Sequence, residues 1–205
     1  PLPPQPPHER YTERVSSVLG CNPNSFALNG TNCYLVGTGA KRVLIDASES
    51  GNVGKQFVAA LQGCMVEWGV EGLSDILLTH AHHDHIGGVE LLLQTFGSDI
   101  RVCKFPFVGD MHPAARWLEG QGYHELSDGE VIQTEGATLH ALFTPGHAAD
   151  HGCFFLEEEQ SLFAGDNVLG WGTCWVQVLS EYMATLAQLE ALEPPVVSRP
   201  RYRWH

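Results

Sequence analysis

The stretch Thr79-His80-Ala81-His82-His83-Asp84-His85-Ile86-Gly87-Gly88 gathers four imidazoles and a carboxylate within six residues. Alternate side chains of a strand share a face, so His80 and His82 point the same way at a strand's end. There they can grip one cation through neutral ring nitrogens. Asp84 and His85 are neighbours that would diverge on a strand. Both can face a second cation only on a turning loop, for which Gly87 and Gly88 supply backbone freedom before a helix opens. A hard carboxylate beside imidazoles suits Zn²⁺ ahead of Fe or Mn.

Two later positions extend the set. Thr144-Pro145-Gly146-His147 and Ala164-Gly165-Asp166 each follow a strand and set a ligating side chain on a tight turn. An aspartate can bridge two cations through its two oxygens. The expected arrangement is His80, His82 and His147 on one metal, Asp84 and His85 on the other, and Asp166 joining them. Cations about 3.5–4 Å apart can share a hydroxide as nucleophile and clamp an oxyanion. Asp84 or Asp166 would orient that hydroxide or take its proton, and both are therefore catalytic candidates. Metal-bound imidazoles donate their other N–H to an oxygen acceptor, and Asp46 and Thr79 are placed for this. His151 is expected to shuttle protons, bind substrate or hold a structural hydrogen bond, and His83 to face solvent.

The elements that must carry these residues are short apolar runs cut by turns. VSSVLG, NCYLVG and RVLIDA form a meander of strands. Phe57, Leu61 and Met65 recur every four residues and predict a helix over 53–68. A buried strand over 73–79 then runs straight into the histidines. A helix over 88–96 follows, with a strand over 100–104 and a short helix around 114–118. Strands are expected at 131–134, 138–143, 153–156 and 161–164, a helix around Tyr182, Leu186 and Leu189, and a last short strand at 195–198. Two mixed sheets packed face to face with helices outside is the economical architecture.

Composition narrows the partners. The chain has 205 residues, 43% of them hydrophobic, with 24 acidic against 11 basic residues and a formal charge of −13. That balance argues against a broad nucleic-acid-binding surface. No apolar run approaches the roughly 18 residues of a membrane span. Six cysteines without a C-x-x-C pair read as buried thiols of a reducing intracellular compartment such as the cytoplasm. Monomer and homodimer are both left open.

The H-x-H-x-D-H run, the later His147 and the later Asp166 resemble the signature of the metallo-β-lactamase superfamily. The segments VLGCNPNSFALNGTNCYLVGTG, LIDASE, DGEVIQTEGATLHALFTPGHAADH and FAGDNVLGWGT resemble most its β-lactamase-like protein 2 branch. The likeness runs from about Glu13 to Pro194. It implies an α+β fold, the αββα sandwich, with a dinuclear zinc site where the sheets meet. It also implies hydrolysis of single-stranded RNA in the mitochondrion.

On this reading residues 1–12 are a Pro-rich arm, 13–197 the hydrolase domain and 198–205 an atypical basic tail. The family carries a final strand ending in Pro-Gly-His-Gly, whose histidine completes the second metal position. Here Ser198-Arg199-Pro200-Arg201 stands instead. Those four residues can be encoded so that the bases read one nucleotide later give Pro-Gly-His-Gly, which suggests a shifted frame. One tightly held zinc and a weakened second are expected, with activity in doubt. The leading expectation is a zinc-dependent endoribonuclease using a metal-bound hydroxide. A thioesterase or glyoxalase-type hydrolase of small acyl thioesters is the alternative, and a non-catalytic metal-binding isoform a third.

Overall fold

The computed structural model describes residues 4–109 and 113–192. The first half of the chain builds one sheet. Strands β1 (His8–Arg10), β2 (Val15–Leu19), β3 (Asn32–Val36) and β4 (Lys41–Ile45) form an antiparallel meander. Helix α1 (Gly51–Glu67) then crosses over to β5 (Gly72–Leu78), which pairs parallel to β4. The one-turn helix α2 (His83–Ile86) and α3 (Val89–Phe96) lead to β6 (Arg101–Lys104). Helix α4 (Pro113–Gln121) leads to β7 (His124–Glu125), and both of these strands are parallel additions. The sheet order is β1-β2-β3-β4-β5-β6-β7.

The second half forms a four-stranded sheet ordered β11-β10-β9-β8. Its strands are β8 (Val131–Thr134), β9 (Ala137–Phe143), β10 (Gly152–Leu156) and β11 (Ser161–Phe163). A single 3-10 turn at Gly165–Asn167 and helix α5 (Leu179–Ala191) follow. The first sheet is mixed, and the second is antiparallel throughout its described strands.

Strand alternation explains the layering. On β3, Tyr34 and Val36 face the second sheet and meet Leu139, Phe154 and Phe163. Cys33 and Leu35 face the other way, under Phe57 and Leu61 of α1 and Leu92 of α3. Leu189 of α5 covers Cys153 and Leu162 on the far side. The result is helix, sheet, sheet, helix, and both sheets direct their strand ends toward one rim.

Several boundaries differ from the sequence reading. Residues 8–10 of the Pro-rich arm form edge strand β1. Helix α4 runs longer than expected because Pro113 takes the first helical position, where its missing N–H costs nothing. The strand expected at 195–198 and the tail from Ser198 lie outside the described residues. No helix among those described is long and apolar enough to cross a membrane.

The largest local difference concerns the loop expected at Asp84 and His85. These residues sit in α2, where Ile86 N–H donates to His82 O at 3.2 Å and Gly87 N–H to His83 O at 2.8 Å. Gly87 has φ −59° and ψ −31°, an ordinary helical conformation. The two glycines are therefore needed for space and not for freedom. A Cβ on Gly87 would lie 2.6 Å from Ser50 N, and one on Gly88 would collide with the carbonyl of Ala47. Main chain cannot swing aside as a side chain can. Gly88→Ala is expected to destabilise the fold by about 1–3 kcal/mol, read as a lower urea midpoint with an unchanged slope.

Candidate metal centre

His80 and His82 leave the end of β5, and His147 leaves the end of β9. Their ring nitrogens converge: His80 Nε2 lies 2.8 Å from His82 Nδ1, and His147 Nε2 lies 3.2 and 3.1 Å from those two atoms. Nitrogens bound to one tetrahedral zinc at 2.0–2.1 Å are about 3.3 Å apart. The donor set therefore fits a zinc-sized cation. Asp166, on the turn after β11, completes a group of four whose ligand atoms all lie within 4.8 Å of one another.

The carboxylate of Asp166 faces both ways. Its Oδ2 is 3.6 Å from His147 Nε2 and 4.0 Å from His80 Nε2, while its Oδ1 is 3.4 Å from His85 Nε2. His85 Nε2 is also 3.4 Å from Asp84 Oδ2. Asp166 thus stands between the His80, His82 and His147 group and the Asp84–His85 pair. His82 is exposed while His80, His85 and His147 are buried, so the centre opens to solvent on the His82 side. A cavity widens on the Asp84 and His85 side, walled by Asn29, Asn32, Tyr34, Phe163, Val168 and Leu169.

Surrounding acceptors set each tautomer. His80 Nδ1 donates to Thr79 Oγ1 at 2.9 Å, His85 Nδ1 to Asp46 Oδ2 at 2.7 Å, and His147 Nδ1 to the Trp175 carbonyl at 2.8 Å. In each case the Nε2 lone pair is left facing the centre. Asp46 also accepts from Thr79 N–H at 2.9 Å and from the Thr79 hydroxyl. It does so from φ +62°, a left-handed conformation that costs a non-glycine residue about 1–3 kcal/mol. These hydrogen bonds hold it there. His151 is fully buried, and its Nε2 accepts the Asp166 N–H at 3.2 Å, so of the roles open to it the geometry supports holding Asp166 in place. His83, expected in solvent, lies part-buried with its Nε2 3.9 Å from Glu49.

Sequence reading missed three supports. Thr31 Oγ1 donates to Asp84 Oδ2 at 2.8 Å across 53 residues, a partnership without a local signal. The Trp175 carbonyl is main chain and has no residue signature. From α5, Thr185 Oγ1 donates to Pro145 O at 2.7 Å and Tyr182 to Asn167 O at 2.8 Å, which fastens both ligand-bearing turns to one helix. Tyr182 was legible only as part of a helical stripe.

The charges follow from this crowding. Burial, reinforced by His85, His151 and His147, holds His80 neutral well below the ordinary imidazole range. Burial also opposes charge on His85, but Asp46, Asp166 and Asp84 outweigh it and raise its proton affinity well above that range. Burial favours the protonated form of Asp84, yet His85 and Thr31 hold its carboxyl below the usual range, and His85 and His147 do the same for Asp166.

Two expectations follow for the metal-free protein. A raised histidine stabilises the fold below about pH 6.5 and loses that contribution as pH rises through its folded value; a depressed one, such as His80, does the reverse. The proton on His85 competes with a cation for Nε2. Zinc uptake should therefore release a proton, and affinity should climb with pH until the raised folded value of His85 is passed. Calorimetry in buffers of different ionisation enthalpy measures this, and a pH-independent affinity would contradict it. Asp46→Ala should weaken zinc binding by about 10- to 100-fold.

A family model described as the metallo-beta-lactamase superfamily matches residues 27–199. The lactamase-like protein adaB of Aspergillus niger is 42% identical over 191 residues, covering 93% of this chain and 56% of that protein. An atrochrysone carboxyl ACP thioesterase of Aspergillus fumigatus is 39% identical over the same length, with the same coverage. Another, from Aspergillus novofumigatus, is 43% identical over 183 residues, 89% of this chain and 52% of that protein. The chain thus spans little more than half the length of these relatives. Among solved structures, a beta-lactamase domain protein from Burkholderia ambifaria superposes with a TM-score of 0.73 at 18% identity, covering 93% of this chain and 67% of that one. A metallo-beta-lactamase family protein from Thermus thermophilus gives 0.66 at 23% identity, covering 87% and 70%. These two share the fold. The sequence relatives overturn the expectation of an endoribonuclease of the β-lactamase-like protein 2 branch, because at about 40% identity they carry thioesterase names. The physical reason for the error is that the ligand motif serves both chemistries and does not select the bond that is cut.

Proposed function

The chain belongs to the metallo-beta-lactamase superfamily, and we propose that it is a hydrolase that cleaves an acyl thioester at the centre built from His80, His82, Asp84, His85, His147 and Asp166. One observation carries the choice of substrate: about 40% identity, over nine-tenths of this chain, to proteins named as acyl carrier protein thioesterases. The acidic composition agrees, since a polyanion would meet a surface of formal charge −13.

In this reading His80, His82, His147 and Asp166 would hold a zinc ion, and Asp84 and His85 beside them would help to hold a second. Bound cations would supply Lewis acidity and make water acidic enough to attack near neutral pH. The remaining work falls to the chain. Thr31 holds the Asp84 carboxylate by one oxygen, which keeps it ionised and aimed. Asp84 and Asp166 are then placed to take a proton from the attacking water and return it to the departing thiolate, so that acid and thiol leave as products. Thr79, Asp46 and the Trp175 carbonyl keep the imidazoles from turning during this cycle. The cavity beside Asp84 has apolar walls in Tyr34, Phe163, Val168 and Leu169, and the acyl group is assigned to it.

Incubating one preparation with an acyl N-acetylcysteamine thioester and with single-stranded RNA tests the reading. Thiol release that chelator abolishes and zinc restores is expected, with the RNA left intact. Asp84→Asn should lower kcat by about 100-fold or more. Cleavage of RNA with no thiol release would sink the proposal.

A further inference from the structure

The ligands come from two different sheets. His80, His82, Asp84 and His85 follow β5 of the first sheet, whereas His147 and Asp166 follow β9 and β11 of the second. Their ring nitrogens nevertheless meet within 3.2 Å. The connection from β9 to β10, residues 144–151, carries His147, so its seating against the first sheet sets that meeting point. A main-chain bond directly after it, from Gly152 N–H to Thr79 O at 2.8 Å, ties it there. A further tie is an ion pair.

Lys104, the last residue of β6, is completely buried, and its ammonium meets the carboxylate of Asp150, which is 3% exposed. The same Nζ donates to Phe105 O at 2.8 Å and lies 4.5 Å from the centre of the Phe107 ring. Asp150 stands three residues after His147 and directly before His151, which holds the Asp166 amide. Taking two charges out of water costs several kcal/mol per ion, and well-packed apolar residues at such places are often as stable or more so. Stability alone therefore gives no reason for charges here. What an ion pair adds over apolar packing is direction, because one ammonium and one carboxylate fix where the loop sits along the strand end.

We propose that Lys104 and Asp150 are positioning residues that lock the His147-bearing loop onto the first sheet and thereby set the spacing of the metal ligands. Neither touches substrate or metal. The inference rests on the metal-centre reading above and adds to it the device that brings the two halves together.

The test compares zinc affinity, by competition with a fluorescent chelator, against thermal stability without metal. The double variant Lys104→Met/Asp150→Leu removes both charges at similar volume and should keep the fold. Its zinc affinity is expected to fall at least about tenfold, the usual effect of losing support behind a ligand. Its metal-free melting midpoint should stay within a few degrees of wild type. Cobalt substitution adds a second readout, since a misplaced His147 changes the visible absorption of the bound ion. Asp150→Ala is the independent variant: burial already pulls the Lys104 ammonium toward its neutral form, so the lysine left behind can shed its proton. It should show the same loss. Wild-type zinc affinity and cobalt spectrum in either folded variant would overturn the proposal, as would failure of both variants to fold, which would make the pair purely structural. A wild-type protein that binds no zinc takes this inference down together with the metal-centre reading, whereas wild-type binding with unaltered variants removes this inference alone.

Discussion

Three imidazole nitrogens from two separate sheets meet within 3.2 Å of one another, and most of the surrounding structure serves that meeting. Neutral rings so close cannot all hydrogen-bond to each other, because each pair needs one donor and one acceptor. The arrangement is relieved when the lone pairs share a cation. A ring that shares a cation presents a lone pair inward and its proton outward, and Thr79 and the Trp175 carbonyl stand behind His80 and His147 in this way, as Asp46 does behind the neighbouring His85.

Local strain and tight contacts follow from the same demand. Asp46 holds a left-handed backbone so that its carboxylate can turn under the end of β5 and reach both Thr79 and His85. Gly87 and Gly88 let α2 press against the main chain leaving β4, which brings Asp84 and His85 beside Asp166. Gly146 does the like for His147, since any side chain there would strike the backbone of Tyr182 on α5. At Gly87 and Gly88 glycine serves proximity, whereas Gly146, at φ +131°, also needs glycine's backbone freedom.

The proposed ligand set is compatible with hydrolysis and does not name a substrate. The same carboxylates and imidazoles can serve attack on phosphorus or on an acyl carbon, since in both cases water is activated and a developing oxyanion is stabilised. Selection lies in the walls of the approach and in the charge of the surface, features spread over loops such as the one ahead of β3. The relatives with thioesterase names bear on that choice in a way that the metal-binding motif could not.

Residue types and their order along the chain were enough to indicate most of the strands and the layered fold, and to single out six side chains as candidate ligands. A strand's period of two and a helix's period of 3.6 are written locally, and ligating residues at strand ends stand out by type. Tertiary structure alone decided the rest. It showed that Asp84 and His85 ride a helical turn, that the two glycines make room, that each Asp166 oxygen faces a different cluster and that His151 is walled in behind it. Thr31 acting on Asp84, Trp175 lending its carbonyl, and Lys104 joining Asp150 were invisible beforehand. Such partners are separated by tens of residues, and main-chain acceptors or buried ions leave no periodic trace, so only the packing of one sheet against the other brings them into contact.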